Sequence, residues 1–304
     1  MTKARDFLGP YRLIRLIRAG SACEVWEAIH TKKDERFALK ILRPNKRDDK
    51  AELAALKHEF QVGSTLTASN RIIKIFQYAI ESDAPLLVME LFSELNMKQA
   101  LRRGPDSLAF MLDKIIEQAA EGLFYLHDKG WIHRDIKPDN FLVSREGETK
   151  LIDFQIATKK KTGLAKLFSS GGAVQGTRSY MSPEQIRGKH CDERADIYSF
   201  GCVLYEAVTA KPPYTGATPN ELLTKHLRAN IPSPLVINDN VTPEFAAMVR
   251  RMMAKDPEQR PSSMYKFLKE FKTIKLFKRR PKEPEISVFD DLPSFKNPDD
   301  LFRN

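Results

Sequence analysis

The segment "WIHRDIKPDNF" (residues 131–141) places six charged or amide side chains between apolar ends. It follows "LAFMLDKIIEQAAEGLFYLHDKG" (108–130), whose long apolar pattern predicts a helix that ends on Gly130 as a C-terminal cap. Pro138 removes a backbone donor, and Asp and Asn favour turns, so 133–140 is predicted to be a loop. Such a loop directs Asp135 and Asn140, five residues apart, toward one point.

A second polar position follows in "KLIDFQ" (150–155), where Asp153 ends a short apolar strand. Asn140 and Asp153 offer hard oxygen donors of the kind that suits Mg²⁺, which fills its other positions with phosphate and water. The two segments therefore predict a site for a metal-bound phosphate.

Composition sets broad limits on the class of protein. The chain has 304 residues, more than one compact domain usually holds, so two lobes are expected. No stretch approaches the roughly 18 apolar residues that span a bilayer, and no signal peptide is recognisable, so a cytoplasmic protein is expected. Three cysteines without metal-ligand spacing are interpreted as reduced thiols.

The net charge of +10 is compatible with nucleic acid, an anionic membrane or phosphorylated ligands as partners. The basic runs "TKKKTG" (158–163) and "FKRRPK" (277–282) are short and lie between acidic stretches, which favours solvated loops. Nucleic-acid binding therefore rests on charge alone and is not expected, and neither is a membrane span.

The first ninety residues read mainly as strands: "YRLIRLIR" (11–18), "EVWEAIH" (24–30), "RFALKIL" (36–42), "KIFQYAI" (74–80) and "PLLVMEL" (85–91). One helix is predicted among them, in 48–66, where Leu53, Leu56 and Phe60 share a face. A small sheet-rich half thus precedes a larger helical half.

The helical half contains "RADIYSFGCVLYEAVTA" (194–210), which is apolar on nearly every face and predicts a central buried helix. Two amphipathic helices are predicted in 242–255 and 262–274. From about residue 277 Pro, charges and isolated aromatics mix, which predicts a flexible tail or a docking peptide.

"HRDIKPDN" (133–140), together with "FALK" (37–40), "DF" (153–154) and "SPE" (182–184), resembles the eukaryotic-type Ser/Thr protein kinase family over about residues 11 to 273. The resemblance implies an α+β bilobal fold, with a five-stranded antiparallel sheet and one helix in the N-lobe and a mainly helical C-lobe. The implied division is an N-terminal extension (1–10), N-lobe (11–90), hinge (91–94), C-lobe (95–276) and tail (277–304).

The resemblance also implies catalytic roles. Asp135 would accept or orient the proton of the substrate hydroxyl, Lys137 would steady the transferred phosphoryl group, and Asn140 and Asp153 would bind Mg²⁺. Arg134, beside the base, would bind a phosphorylated or acidic residue of the activation segment.

Lys40 alternates with apolar neighbours in its predicted strand, so its ammonium points away from them and, by the resemblance, toward the nucleotide phosphates. A glutamate of the following helix would hold Lys40 extended. Glu59 is the preferred partner and Glu52, two turns earlier, is the alternative that the helical phase also allows.

Further implied contacts lie in the C-lobe. Thr177 would hydrogen-bond near Asp135 and Lys137, Glu184 would form a structural ion pair with Arg260, and Asp196 would cap the catalytic loop. ATP would lie in a pocket formed by Ile17, Gly20, Val25, Ala38, Lys40, Met89, Leu142 and the hinge backbone at Glu90 and Phe92.

Two departures from the family pattern bear on activity. "RAGSACEV" (18–25) keeps only Gly20 of the glycine-rich loop, with Arg18 and Cys23 at the other glycine positions. Either these side chains weaken nucleotide binding, or the charge of Arg18 partly offsets the loss. We expect nucleotide binding to be retained. "DFQ" places Gln155 where a flexible glycine is usual, which predicts a bias toward the state with Phe154 in the core.

Lys137 in "HRDIKPDN" is typical of Ser/Thr-directed kinases, so the expected substrate is a protein hydroxyl, and autophosphorylation is expected at Ser169 or Ser170. An activating protein partner is also expected. The rival interpretations are a pseudokinase that acts as a nucleotide-binding or scaffold protein, and an atypical small-molecule kinase, which would not need "SPEQIRGK" (182–189).

Overall fold

The computed structural model describes residues 7–92, 95–104, 106–160, 175–285 and 287–289. Its N-terminal part is a six-stranded antiparallel sheet in the order β1-β2-β3-β4-β6-β5. The strands are β1 (Phe7–Leu8), β2 (Tyr11–Ala19), β3 (Cys23–His30), β4 (Glu35–Leu42), β5 (Ile75–Glu81) and β6 (Ala84–Glu90). The described sheet has one strand more than the five predicted, because Phe7 and Leu8 of the expected extension pair with Arg12 and Tyr11.

Helix α1 (Lys50–Gly63) packs against β5 and β6. Asp49 caps its N-terminus by accepting hydrogen bonds from the backbone N–H groups of Ala51 and Glu52 (3.0 and 3.4 Å). Leu56, on the predicted apolar face, is fully buried. The helix therefore packs on the sheet beside β5 and β6.

The C-terminal part is mainly helical. Its helices are α2 (Met97–Leu101), α3 (Asp106–Ala109), α4 (Leu112–Asp128), α5 (Pro183–Ile186), α6 (Glu193–Thr209), α7 (Pro219–Arg228), α8 (Pro243–Met252) and α9 (Met264–Phe271). Every residue of α6 from Ala195 to Thr209 is buried, which confirms the predicted central helix. Together the two parts form the α+β bilobal fold that the resemblance implied.

Short strands hold the polar loops in place: β7 (Leu95–Asn96), β8 (Trp131–Ile132), β9 (Phe141–Val143), β10 (Thr149–Leu151) and β11 (Thr158–Lys159). The loop 133–140 runs between β8 and β9, and Asp153 follows β10, which is the hairpin partner of β9. Pairing of β8 with β11 anchors the segment after Asp153. The topology thus brings both predicted polar segments to one end of the hairpin.

The sequence predicts a flexible tail or a docking peptide from residue 277 onward, and the described residues of this segment, 277–285 and 287–289, include positions that pack on the C-terminal part. Phe277 forms an antiparallel bridge with Val241, and Val288 and Phe289 are buried against the C-terminal core. The isolated aromatic side chains bury apolar surface that a solvated tail would leave in water. Within the described ranges, no helix combines the length and apolar character needed to cross a bilayer.

Candidate active site

A cleft of about 550 Å³ opens between the sheet and the helical part. Every residue predicted to contact the nucleotide lines it: Ile17, Gly20, Val25, Ala38, Lys40, Met89, Glu90, Phe92 and Leu142. Glu59 and Asp153 line the same cleft. The cleft therefore has an apolar part, lined by residues such as Ile17, Val25 and Leu142, and a charged end with Lys40, Glu59 and Asp153.

At the charged end, Lys40 Nζ lies 2.9 and 2.6 Å from the two carboxylate oxygens of Glu59 and 3.4 Å from Asp153 Oδ1. The structure confirms that Glu59, not Glu52, is the partner of Lys40. Burial alone would lower the pKa of Lys40, but the negative charges of Asp153 and Glu59 raise it above its ordinary value. Lys40 is consequently a fixed cation.

Asp153 and Phe154 point in opposite directions at the end of the hairpin. Asp153 has a left-handed backbone (φ 71°) and faces the cleft, whereas Phe154 is fully buried with its ring against His133 (5.6 Å between centroids). Burial opposes ionisation of Asp153, but Lys40, His133 and Lys137 hold its pKa below the usual range. This arrangement is the one expected from "DFQ".

In the catalytic loop, Asp135 is held by groups from two segments. Its Oδ1 accepts hydrogen bonds from the backbone N–H and the hydroxyl of Thr177 (2.8 and 2.9 Å). Its Oδ2 lies 2.5 Å from Lys137 Nζ, which also donates to Thr177 Oγ1 (2.9 Å). The predicted contact of Thr177 with both residues is confirmed, and the carboxylate has a fixed orientation.

The side-chain amide of Asn140 shows whether the predicted Mg²⁺ ligands suit this ion. Its Nδ2 donates to the backbone carbonyl of Asp135 (2.8 Å), which fixes the amide. Its buried Oδ1 has no hydrogen-bond partner among the described residues. A buried acceptor left unpaired calls for a cation or a water. Asp153, which lines the cleft, follows Ile152, whose backbone N–H donates to the carbonyl of Asn140 (3.0 Å), so a carboxylate lies near this amide. These residues fit a bound Mg²⁺.

Asp196 of α6 binds the backbone of the catalytic loop, as predicted. Its two oxygens accept from the backbone N–H groups of His133 and Arg134 (2.8 Å each). His127, at the end of α4, adds a third contact (2.8 Å) that the sequence did not reveal. Burial disfavours the charged form, but the bonds from His127 and His133 keep the pKa of Asp196 low. The hydrogen bonds that Asp196 accepts from the loop offset the energetic cost of the left-handed backbone at Arg134 (φ 68°).

Arg260 and Glu184 form the predicted ion pair, with two parallel contacts of 2.6 and 2.9 Å. The neighbouring Gln185 donates to the backbone carbonyl of Arg134 (2.8 Å). The helix α5 that carries Glu184 and Gln185 is therefore joined both to the C-terminal core and to the catalytic loop.

A buried contact beside the cleft was not predicted. Glu206 of α6 is 2% exposed and accepts hydrogen bonds from Tyr180 Oη (2.6 Å) and from Lys98 Nζ. A carboxylate on a buried helix requires hydrogen-bond or charged partners from other elements, but the sequence does not identify these partners. Lys98 also lines the mouth of the cleft.

The loop that keeps only Gly20 of the glycine pattern forms a tight turn between β2 and β3. Gly20 N–H donates to the carbonyl of Cys23 (2.8 Å), and a Cβ on Gly20 would lie 3.0 Å from that oxygen. Arg18 is exposed, whereas Cys23 is buried and lines the cleft. Burial raises the pKa of Cys23 to about 11, so it is a neutral thiol.

The predicted autophosphorylation sites, Ser169 and Ser170, lie outside the described residues. Arg134, the predicted receptor for such a phosphate, is partly buried. Its Nε has no hydrogen-bond partner in the part of the chain that the structure describes.

The chain is similar in sequence to several serine/threonine-protein kinases. The serine/threonine-protein kinase PknH of Mycobacterium tuberculosis is 34% identical over 262 residues, covering 86% of this chain and 41% of PknH. A probable serine/threonine-protein kinase of Streptomyces coelicolor is 32% identical over 267 residues (86% and 39%). The probable serine/threonine-protein kinase PknB of Bifidobacterium longum is 31% identical over 298 residues (95% and 42%).

The chain thus spans about two fifths of the length of these relatives. The sequence profile of the protein kinase domain matches residues 11–271. The chain therefore belongs to the protein kinase family.

Proposed function

We propose that this chain transfers the γ-phosphate of ATP to serine or threonine hydroxyls of proteins. The observation that carries the proposal is the proximity of two clusters. Lys40, Glu59 and Asp153 meet in the cleft. Asp135, Lys137 and Asn140 form the second cluster, and the Asn140 carbonyl accepts a hydrogen bond from the backbone N–H of Ile152, next to Asp153 (3.0 Å). The names of the relatives as serine/threonine kinases support the choice of acceptor.

In this proposal the apolar residues Ile17, Val25, Ala38 and Leu142 hold the adenine ring. The backbone at Glu90 and Phe92 offers hydrogen bonds to its edge, and Lys40 binds the phosphates. Because Glu59 and Asp153 fix the ammonium of Lys40, its charge is positioned before the nucleotide arrives.

Asp135 receives or orients the proton of the acceptor hydroxyl, since Thr177 and Lys137 fix its carboxylate. Lys137 carries positive charge next to the position of transfer. Phosphoryl transfer has a loose transition state, so alignment and charge neutralisation supply most of the catalysis. Asn140 and Asp153 would hold Mg²⁺, which when bound neutralises charge on the phosphate oxygens.

A pseudokinase is the second candidate, favoured by Arg18 and Cys23 in the glycine loop and by Gln155. Phosphoamino-acid analysis of casein incubated with the protein and labelled Mg-ATP tests the choice. We expect label in phosphoserine or phosphothreonine. Nucleotide binding without any transfer would favour the pseudokinase, and label in phosphotyrosine would contradict the proposed acceptor.

Autophosphorylation at Ser169 or Ser170 belongs to the same proposal, with Arg134 as the receptor of the phosphate. Mass spectrometry of the peptide after incubation with Mg-ATP tests it, and an unmodified peptide would remove it. A cytoplasmic location and an activating protein partner are further parts of the proposal; the free thiols of Cys23, Cys191 and Cys202 suit a reducing compartment.

A further inference from the structure

A buried carboxylate lies beneath the segment that fixes Asp135. The Glu206 side chain of α6 is 2% exposed, and its two oxygens contact Tyr180 Oη (2.6 Å) and Lys98 Nζ. Lys98 Nζ also lies 3.4 Å from Tyr180 Oη, so the three side chains form one cluster. Because the phenol of Tyr180 is neutral, Lys98 supplies the counter-charge that burial of Glu206 requires.

This cluster is close to the position of the acceptor hydroxyl. Thr177 binds Asp135, and a turn joins Thr177 to Tyr180, since Tyr180 N–H donates to the Thr177 carbonyl (2.9 Å). Such a turn keeps the two Cα atoms within about 7 Å, the length of about two residues of an extended peptide. Ser199 of α6 fixes the turn by donating from its Oγ to the Tyr180 carbonyl (2.6 Å). Substrate side chains that flank the acceptor therefore come within reach of the cluster.

Lys98 reaches the cluster from the mouth of the cleft. Its helix, α2, contacts residues 138–140 at the end of the catalytic loop, and Lys98 and Asp139 line the same cleft. The Lys98 side chain is 27% exposed, whereas that of Glu206 is 2% exposed. Lys98 thus covers the carboxylate on the side from which a protein substrate approaches. Removal of the Lys98 side chain would leave Glu206 as an unpaired anion facing the mouth.

We propose that Lys98 is a specificity-determining residue, which occupies the place that a basic side chain of the substrate would otherwise take beside Glu206. With Lys98 present the carboxylate is already neutralised, so a substrate arginine or lysine meets an ammonium there instead of a free anion. The chain therefore acts on hydroxyls whose flanking residue at this position is neutral or acidic. This inference rests on the proposed kinase function and adds the class of substrate.

Kinetics of the full chain with matched peptides test this role. Each peptide carries one serine acceptor among alanines, with arginine at one of the four positions on either side. The arginine preference is kcat/KM for that peptide divided by kcat/KM for the all-alanine parent, a ratio that does not depend on how much of the protein is folded. Lys98→Ala should raise this preference about tenfold or more at one position, the effect of a hydrogen bond between charged groups. At that position the wild-type preference should be one or lower, and a wild-type preference for arginine there would overturn the proposal.

Further variants separate the charge of Glu206 from a general effect on the fold. Lys98→Ala/Glu206→Gln removes the anion and should return the preference to the wild-type value. Lys98→Gln keeps a donor for Glu206 without a charge and should give a smaller rise at the same position. Lys272→Ala is the matched control, because Lys272 is 58% exposed and pairs with Glu117 (2.7 Å), and neither residue lines the cleft. An unchanged preference in Lys98→Ala and Lys98→Gln, or an equal rise in the double variant, would overturn the proposal.

Butylammonium, which resembles the end of a lysine side chain, gives a readout that does not depend on catalysis. It should raise the Tm of Lys98→Ala by about 2 to 4 °C relative to the same concentration of tetramethylammonium, which donates no N–H hydrogen bond. The wild type and the double variant should not respond. If the wild type phosphorylates neither peptides nor casein, the proposed function fails, yet the Tm still decides whether an added cation replaces Lys98. An unchanged Tm of Lys98→Ala would overturn the place given to Lys98 while leaving the kinase proposal intact.

Discussion

The guanidinium of Arg260 and the carboxylate of Glu184 form a two-point ion pair between positions 76 residues apart, with N–O distances of 2.6 and 2.9 Å. The Arg260 side chain is fully buried and the Glu184 side chain is 9% exposed. Removing one partner would leave the other charge buried and unpaired. Substitution of one partner should therefore show how much this ion pair stabilises the segment around α5.

Arg260→Met is expected to lower the free energy of unfolding by about 3 to 5 kcal/mol. Urea denaturation of the full chain measures the change. Arg251→Met is the matched control, because Arg251 and its partner Glu270 are both more than 40% exposed, and it should cost less than about 1 kcal/mol. Equal losses in the two variants would contradict the structural role given to Arg260.

Glu59→Gln keeps the size of the side chain and removes the charge that faces Lys40. We expect kcat/KM for ATP to fall about ten- to a hundredfold, the range for a hydrogen bond between charged groups. Glu52→Gln, on the same helix, is the control, since Lys40 contacts Glu59 instead. Steady-state kinetics with casein as acceptor compares the two, and an equal loss from both would refute the assignment of Glu59.

Asn140→Ala removes the buried Oδ1 that has no hydrogen-bond partner among the described residues. The Mg²⁺ concentration for half-maximal phosphotransfer should rise roughly tenfold or more, because hard oxygen donors set the affinity for this ion. Asn238→Ala serves as control, since Asn238 also donates to a backbone carbonyl but lies away from the cleft. An unchanged Mg²⁺ requirement in Asn140→Ala would exclude Asn140 as a ligand.

His226 is fully buried, with Nδ1 2.9 Å from Tyr198 Oη. Burial, followed by the nearby charge of Lys255, lowers its pKa from 6.5 to about 4. Between about pH 6.5 and pH 4, His226 is protonated in the unfolded chain but neutral in the folded chain. Stability should therefore fall as the pH drops through this window, by on the order of 3 kcal/mol from this group.

Urea denaturation at several pH values between 7 and 4.5 tests this expectation. His226→Asn should be less stable at pH 7 because it leaves space in the core, and its stability should depend less on pH. If the variant and the wild type lose stability in parallel across this window, His226 is not the group responsible.

The sequence predicted the elements and contacts around the cleft where residues follow a local pattern or a family motif. The loop 133–140 and the buried helix α6 depend on local composition and periodicity, which a single chain displays. The choice of Glu59 over Glu52 came from the family pattern, because the helical phase allows either residue. The pair of Glu184 with Arg260 came from the motif order, because nothing local connects two positions so far apart.

Other contacts left no such signal. Phe7–Leu8 is a two-residue strand, too short for a periodic pattern, and Phe277 stands alone in a charged segment. Lys98 and Glu206 meet only because α2 and α6 approach each other in the fold. His58 contacts a backbone carbonyl, which any residue at position 157 would supply, so its partner has no recognisable side chain.

Transfer of label from Mg-ATP shows whether Asp135 acts at a cleft that binds ATP. The wild-type chain, Asp135→Asn, Lys40→Met and a surface control, Asp128→Asn, whose side chain is 57% exposed, are incubated under the same conditions. We predict label on the wild type and the control, and a loss of roughly a hundredfold or more in Asp135→Asn, as for removal of a general base. Equal labelling of Asp135→Asn, Lys40→Met and the wild type would exclude a catalytic role for Asp135 and Lys40.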